Sequence, residues 1–380
     1  MKKKLSFIVF SFILISSAVA FEWGGTLKND SRVSINAEKL VVYNQTNSLN
    51  VWLSVPITKD NVWNFYVEGN YKFLLKPVPK PVAIINILDI PLLKVSGQIN
   101  VGNVPLKLAV GRFKVTDFTS KIINNTCDGV LANSAIGFVN IDAYFGFTGL
   151  TNQLTSPGFL AKNGMLNVKN GNLYVLDNPI IPAIVKLSLP SIFANQSIVI
   201  QGLVAIDCSE EKNSKYYATV GLEGPLYSNL FYELKTTIST ESFNSISNLS
   251  TIMLTWFPTR SIRLHFMTDY ASGGELCFDN FRTVSSFSQS ELTIVELSDA
   301  LIPSAGVSFS LKNFYAYFDV KGVFSIDDDL KFKYVIAKLN SNLNLFSDLQ
   351  IGFDVNGIFA TSEKKADTKF SFSLKGTFLF

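Results

Sequence analysis

The sequence predicts an all-β protein: a transmembrane antiparallel up-and-down β-barrel of about 18 strands, with 16 as the alternative. Three features indicate this fold, namely an export signal at the N-terminus, apolar residues at every second position, and short turns that alternate with longer connections. Of the 380 residues, 47% are hydrophobic and 17% are charged. A charged fraction below the usual value of about 25% argues against disorder and against a surface that faces only water.

Residues 1–20 have the three parts of a secretory signal. Lys2, Lys3 and Lys4 form the charged region, residues 5–15 form a short apolar region, and Ala18-Val19-Ala20 forms a cleavage site. The apolar region is short for a membrane-spanning helix, which argues against the alternative of a retained anchor. We therefore expect a signal peptide over residues 1–20 and a barrel domain over residues 21–380.

Composition excludes several functions. The formal charge is +3, and the three lysines of the signal supply all of that excess, so the remaining chain is formally neutral. A neutral chain has no broad basic surface, so we expect no nucleic-acid partner. One histidine and three cysteines are too few for a Cys/His-rich metal site. We expect neither a metal nor a cofactor.

Period-two alternation defines the strands. One face of a predicted strand is apolar and the other polar, in stretches of about ten residues or more, whereas soluble strands usually have five or six. A soluble β-sandwich is the alternative, but it predicts shorter strands and a more charged outer face. In lipid every backbone group must be paired, so such strands must close into a barrel. The alternation is clearest in the apolar row Trp63, Phe65, Val67, Gly69, Tyr71 and Phe73.

The turns give the strand count. Counting back from the C-terminus gives seventeen visible strands. Successive strands must alternate in direction across the membrane, so the pattern requires one more strand. We expect the eighteenth strand within 150–178, where Gly164, Asn170 and Gly171 blur the pattern. Segments 76–90 and 116–134 are predicted to be long outer loops.

The last strand resembles the terminal strand that bacterial outer-membrane β-barrel proteins present to their assembly machinery. Apolar or glycine residues occupy every second position up to a terminal aromatic residue. The resemblance implies a location in the cell outer membrane, with its lipid and the barrel assembly machinery as partners. The residues that carry this assembly signal are Phe370, Phe372, Leu374, Gly376, Phe378 and Phe380.

A second resemblance is to the region around the long third loop of porin-like proteins, which folds into the pore. It rests on Val110-Gly111-Arg112, Asp117, Asp128 and segment 143–150. Arg112 falls on the apolar face, where an arginine would cost about 2–4 kcal/mol at the lipid midplane. We expect a bulge at Gly111 to turn it inward, or else the strand to end before it. Asp117 and Asp128 would then narrow the pore opposite Arg112 or Arg263.

The function that the sequence favours is a porin-like outer-membrane channel for passive diffusion of small polar solutes, because barrels of 16–18 strands enclose water. The alternative is a surface adhesin or a structural barrel with a plugged lumen. A homo-oligomer is compatible with either. The candidate pore-lining residues are Glu68, Lys72, Lys94, Arg112, Asp117, Asp128, Glu233, Lys235, Arg263, His265, Asp269, Asp319, Lys321 and Lys375.

Two residue types, histidine and cysteine, could carry other chemistry. His265 alternates with lipid-facing residues, so it should point into the lumen, whereas barrel enzymes place their active residues at the lipid surface. We expect no enzymatic activity. Cys127, Cys208 and Cys277 all fall in or beside predicted outer loops. They could form one disulfide and leave one thiol, or remain unpaired.

Overall fold

The computed structural model describes residues 21–58, 60, 62–78, 83–148, 150–152, 174–176, 180–208, 213–241, 243, 245–274, 278–285, 297–327, 330–360 and 368–380. The predicted signal peptide lies outside these residues. Eighteen of the strands form one sheet. No helix in the described part of the chain is long and apolar enough to cross a membrane.

The strands follow one another in an up-and-down meander. Their bounds are β1 Glu22–Asn36, β2 Val41–Pro56, β3 Asn64–Val78, β4 Ala83–Val101, β5 Val104–Thr116, β6 Asn124–Ile136, β7 Val139–Phe147, β8 Leu150–Asn152, β9 Tyr174–Leu176, β10 Ile180–Phe193, β11 Gln196–Asp207, β12 Lys215–Tyr227, β13 Leu230–Glu241, β14 Ser247–Thr259, β15 Ile262–Ala271, β16 Ala300–Ser310, β17 Phe314–Phe324, β18 Phe332–Asn344, β19 Leu349–Ala360 and β20 Lys369–Leu379.

The sheet closes on itself. β1 pairs antiparallel with β20 over eleven residue pairs, from Thr26 with Leu379 to Asn36 with Lys369. β7 pairs directly with β10, so β8 and β9, which lie between them in the sequence, are not strands of the wall. Closure leaves no sheet edge with unpaired backbone N–H and C=O groups, to which lipid offers no hydrogen bonds. The predicted all-β barrel of about 18 strands is confirmed, and the count of 16 is wrong.

The eighteenth strand does not lie where the sequence suggested. It is β6, which begins inside the segment 116–134 that we expected to be a loop, and only residues 117–123 connect β5 to β6. Within 150–178, β8 and β9 pair only with each other, and residues 153–173 lie outside the described part. Segment 76–90 is likewise mostly strand, because β4 begins at Ala83.

The two faces of the wall are opposite in character. On β20, Phe370 and Phe372 are 45% and 38% exposed on the outer face, whereas Ser371 and Ser373 are 1% and 2% exposed inside. Apolar side chains outside and polar side chains inside are the reverse of a water-soluble barrel.

The barrel has two unlike rims. Phe380 exchanges backbone hydrogen bonds with Gly25, so both ends of the described chain lie at one rim together with short turns such as Gly102-Asn103. We call this the terminal rim. Residues 117–123 and the described ends of the connection between β15 and β16 lie at the opposite rim, which we call the loop rim. A buried apolar cluster fills part of the lumen near the loop rim; it includes Phe113, Ile122, Ile123, Tyr217 and Phe281.

Candidate channel constriction

Residues 117–123, which we call the inner loop, fold into the barrel instead of projecting from it. Ile122 and Ile123 have no exposed surface. The Asp117 carboxylate shapes the loop: it accepts the backbone N–H groups of Thr119, Ile122 and Ile123 at 2.7, 3.0 and 2.9 Å. Aspartate commonly closes turns in this way. Asp117 is therefore turned toward its own loop and does not face Arg112 or Arg263 across a pore, which corrects that expectation.

One end of the inner loop is fixed to the opposite wall through Phe118. Its backbone N–H donates to Gln201 Oε1 on β11 at 2.9 Å. Its carbonyl oxygen accepts from Lys235 Nζ on β13 at 3.1 Å, and the same ammonium lies 4.3 Å from the centre of the Phe118 ring. A cation over an aromatic face adds to the hydrogen bond.

The Phe118 ring lies against Gly221 on β12. A Cβ atom on this glycine would be 2.2 Å from Cε1 of the ring, so no larger residue fits beneath the loop as it stands. Gly221 is thus part of the site where the inner loop docks.

The other end of the inner loop is fixed through Lys121. Its ammonium donates to Asp269 on β15 and to Thr251 Oγ1 on β14, the latter at 2.8 Å. Thr251 also donates to Asp269, at 2.8 Å. Lys121 and Asp269 are 9% and 2% exposed, so the ion pair is buried. Burial lowers the pKa of Lys121, and the neighbouring Asp269 charge opposes that shift without cancelling it.

Residues 278–285, in the connection between β15 and β16, cover the inner loop on the side of the loop rim. The backbone N–H groups of Val284 and Ser285 both donate to the carbonyl oxygen of Ile122, at 2.8 and 3.0 Å. Ser285 Oγ accepts the backbone N–H of Asn124 at 2.9 Å. Tyr217 on β12 fixes this segment further, because its hydroxyl donates to the Arg282 carbonyl at 2.8 Å. Residues 278–285 and the inner loop therefore form one packed body inside the barrel.

A cavity of about 570 Å³ lies inside the barrel next to β5, β7 and β10. Lys107, Lys186 and Asp142 give it charge, and Lys186 Nζ lies 2.6 Å from Asp142 Oδ2. The aromatic rings of Phe113 and Tyr144 line its apolar side and contact each other edge to face, with centroids 5.8 Å apart. These charged residues were absent from the sequence-based set, although alternation with Leu106 and Leu108 would have placed Lys107 inward.

The lone histidine lies in a polar row of the lumen. His265 Nε2 is 3.2 Å from Asp319 Oδ1 and 3.3 Å from the Tyr317 hydroxyl, and the two rings are stacked with centroids 5.5 Å apart. Gly306 on β16 leaves the space that the imidazole occupies. Lys321 Nζ lies 3.6 Å from the other oxygen of Asp319.

Most of the sequence-predicted pore residues project from the inner face, and several pair with opposite charges there. Lys375 donates to Asp354, and Lys235 forms an ion pair with Glu233. The lumen therefore carries both signs of charge, largely in pairs. The predicted residues on this face are Glu68, Lys72, Lys94, Glu233, Lys235, Arg263, His265, Asp269, Asp319, Lys321 and Lys375.

Arg112 and Asp128 do not line the lumen, contrary to expectation. Backbone pairing runs in register through Gly111, so no bulge turns Arg112 inward, and the strand continues to Thr116. Both side chains share the outer face with Val110, which is 50% exposed. The guanidinium donates two hydrogen bonds to the carboxylate, each of 2.8 Å. This bidentate pairing neutralises the arginine on the outer surface without a change of face.

The remaining candidates for chemistry are the cysteines and clusters of possible metal ligands. Cys127 is buried and Cys208 is exposed, and both are free thiols; Cys277 lies outside the described residues. Among the described residues, no group of three or more His, Cys, Asp or Glu side chains is placed to hold a metal ion.

Comparison with solved structures gives the same architecture. The outer membrane protein OprD from Pseudomonas aeruginosa superposes with a TM-score of 0.61 at 11% identity, over 95% of this chain and 93% of that one. P. aeruginosa OccK7 (OpdD) gives 0.63 at 10% identity, and OpdQ gives 0.62 at 10%; each match covers 95% of this chain and 98% of the other. No protein-family profile matches the sequence. No curated protein matches it either. At identities this low, the structural likeness establishes a shared fold and nothing more.

Proposed function

We propose that the chain is an outer-membrane channel for passive diffusion of small polar solutes, with the inner loop as its constriction. The observation that carries the proposal is a closed 18-stranded wall with an apolar outside and a charged inside, into which a docked loop projects. Barrels of this size enclose water when side chains alone line them. The likeness to the outer membrane protein OprD supports the same location.

The inner loop leaves one side of the lumen for the passage. Its side-chain contacts with the wall, within the described residues, go to β11–β15. The inward side chains from β17 through β20 to β4 lie outside this set of contacts. We place the passage along that side, where Glu68, Lys72, Lys321 and Lys375 would meet the solute. Paired charges of both signs favour weak ion selectivity and selection mainly by size.

On this proposal, the N-terminal segment would direct export and the last strand would direct insertion. Residues 1–20 would direct secretion and then be removed. The outward row that ends at Phe380 would be recognised by the assembly machinery, because it forms the strand that closes the barrel against β1. Transport through such a channel requires no chemical step, so we assign no enzymatic activity.

A structural barrel with a plugged lumen is the second candidate. The packed body near the loop rim favours it, because Phe281 and Ile122 have no exposed surface and fill space that a solute would need.

Conductance recording separates the two. The mature chain should insert into planar bilayers and produce discrete channel openings. A variant in which a two-residue Asn-Gly turn replaces residues 117–123 should give larger openings, because the obstruction is removed. A folded wild-type barrel without conductance, which conducts only after the replacement, would establish the plugged alternative.

A further inference from the structure

Four polar side chains form a group on the outer face of β1 and β2. Asn29 pairs with Asn47, and Ser31 pairs with Gln45, across the two strands. They share a face with Leu27 and Leu49, which are 51% and 36% exposed. We call Asn29, Ser31, Gln45 and Asn47 the amide patch.

The amide patch lies within the apolar belt and not at its border. Asn29 is the eighth of the fifteen residues of β1. Toward the terminal rim the outer face continues with Leu27 and Leu49, and toward the loop rim with Val33 and Val41, which are 37% and 46% exposed. In a membrane-spanning barrel this position corresponds to the hydrocarbon interior.

The patch satisfies only part of its own hydrogen-bonding capacity. Asn29 Nδ2 donates to Asn47 Oδ1 at 2.7 Å, and Ser31 Oγ donates to Asn29 Oδ1 at 3.2 Å. Gln45 Oε1 accepts from the Tyr43 hydroxyl at 3.4 Å. Each primary amide carries two N–H donors. In the described part of the chain the amide nitrogens of Gln45 and Asn47 donate to no partner.

Unpaired amides are costly at this depth. Lipid tails offer no acceptors and water is absent, so each free N–H keeps its full desolvation penalty. Polar side chains in this position hold neighbouring membrane segments together when the partner supplies the missing hydrogen bonds.

The outer surface beside the amide patch leaves room for another protein to come close to the backbone of β20. Gly376 on β20 pairs with Asn29, and no atom lies within 4 Å of the place where its Cβ would be. The side chains around it are exposed and apolar: Leu374 is 51% exposed and Phe378 is 41% exposed. The patch is thus a small polar centre surrounded by exposed apolar side chains.

We infer that the amide patch is a self-association surface, at which a second copy of this chain supplies the missing hydrogen bonds. A carboxamide both donates and accepts, so the patch is complementary to itself about a two-fold axis along the membrane normal. A second copy presents the same groups at the same depth, whereas a soluble partner does not reach the hydrocarbon. This inference requires the membrane location proposed above, but it does not require an open channel.

The test compares oligomeric states of the purified full chain by sedimentation equilibrium in density-matched detergent and by chemical cross-linking in lipid vesicles. Wild type should associate. The double variant Gln45→Leu/Asn47→Leu should raise the dissociation constant at least about tenfold, because several interchain hydrogen bonds are lost. Leucine suits a lipid-facing position, so the barrel should still form, which heat-modifiable migration verifies. Thr268→Leu, an outer-face change on β15, is the matched control and should associate as wild type does.

Two results would overturn the inference: a monomeric wild type in both media, or a double variant that associates as strongly as wild type. Single-channel conductance of the double variant keeps the two proposals apart. It should equal that of wild type, because the patch is outside the lumen. Lost conductance in wild type with association retained would reject the channel and leave the interface standing.

Discussion

Lys121 and Asp269, 148 residues apart in sequence, form a buried ion pair across the lumen. Lys121 belongs to the inner loop and Asp269 to the far wall, on β15. Thr251 contacts both, so three segments meet at one point. The ion pair therefore joins the inner loop to β15 inside the barrel.

Removing the lysine should release that end of the inner loop. Lys121→Met leaves Asp269 buried without a counter-ion, a cost of about 3–5 kcal/mol to the docked state. We expect larger and noisier single-channel openings in planar bilayers. The exchanged pair Lys121→Asp/Asp269→Lys should restore wild-type openings, and Lys28→Met controls for the loss of one inward positive charge. An unchanged conductance in Lys121→Met would mean that this pair does not hold the loop.

A side chain at Gly221 should displace the loop at its other end. Gly221→Val places a branched side chain where the Phe118 ring lies, so the ring must leave its site and the contact with Lys235 is lost. We expect a larger conductance, as with the lysine variant. In a Phe118→Ala background the same substitution should have little further effect, since coupled residues are not additive. Independent, additive effects would contradict a shared docking site.

The outward position of Asp128 leads to a contrast in ion selectivity. Asp128→Asn should leave the reversal potential in a salt gradient unchanged, whereas Asp319→Asn should shift it toward anions, because only Asp319 faces the lumen. Asp128→Asn should instead lower the free energy of unfolding by about 1 kcal/mol, since it leaves Arg112 unpaired on the outer face. A selectivity shift in Asp128→Asn would place that carboxylate inside the pore.

The terminal phenylalanine should matter more than an equivalent outer-face residue. The Phe380 ring lies over Gly25 and contacts Trp23 edge to face, with centroids 6.4 Å apart, at the seam where the barrel closes. Phe380→Ala should reduce the amount of folded barrel in outer membranes while secretion continues. Phe359→Ala on β19, which removes a comparably exposed ring, is the control. Equal losses in both variants would argue against a special role for the C-terminus.

Asp299 should join two connections at the loop rim in a pH-dependent manner. Burial alone would raise its pKa, but Ser325, the backbone N–H groups of Ile326 and Asp327, and Lys333 together lower it. A carboxyl with a lowered pKa contributes stability above its unfolded pKa of about 4, and loses it as the pH falls through the folded value. Asp299→Asn should therefore speed hydrogen exchange at Ile326 and Asp327 at neutral pH. Below about pH 4 the wild type should approach the variant. Equal protection at neutral pH would contradict this role.

Much of the wall could be predicted from alternation, because a strand between lipid and water must present unlike faces. β20 is the clearest case: Phe370 and Phe372 face outward, with Ser371 and Ser373 inside. β6 was missed for a related reason. Its outward residues near the loop rim, Asn124, Thr126 and Asp128, are polar, so the alternation of apolar and polar residues that marks the other strands is absent there.

The constriction was only partly predictable. A polar segment after an outward-facing arginine indicated a loop that folds inward, but its anchors could not be read from the sequence. Gln201, Lys235 and Asp269 lie on strands far along the chain, and nothing local in their surroundings marks them as partners of Phe118 or Lys121. For Arg112, the alternation of the sequence correctly placed the side chain on the outer face. The bulge invoked to avoid an arginine on the outer face was wrong, because Asp128 on the neighbouring strand pairs with it there.

Within the described residues, the one backbone hydrogen bond that continues the β5–β6 pairing into the inner loop runs from Asp117 N–H to the Ile123 carbonyl at its base. The wall supplies its anchors through individual side chains, such as those of Gln201, Lys235, Thr251 and Asp269. Assembly of the barrel and the bore of its passage are therefore separable traits. On the proposed function, a single substitution at an anchor would change the bore without changing the backbone pairing that builds the wall. The same separation makes the cylinder a scaffold for an engineered nanopore whose aperture is replaced as a cassette.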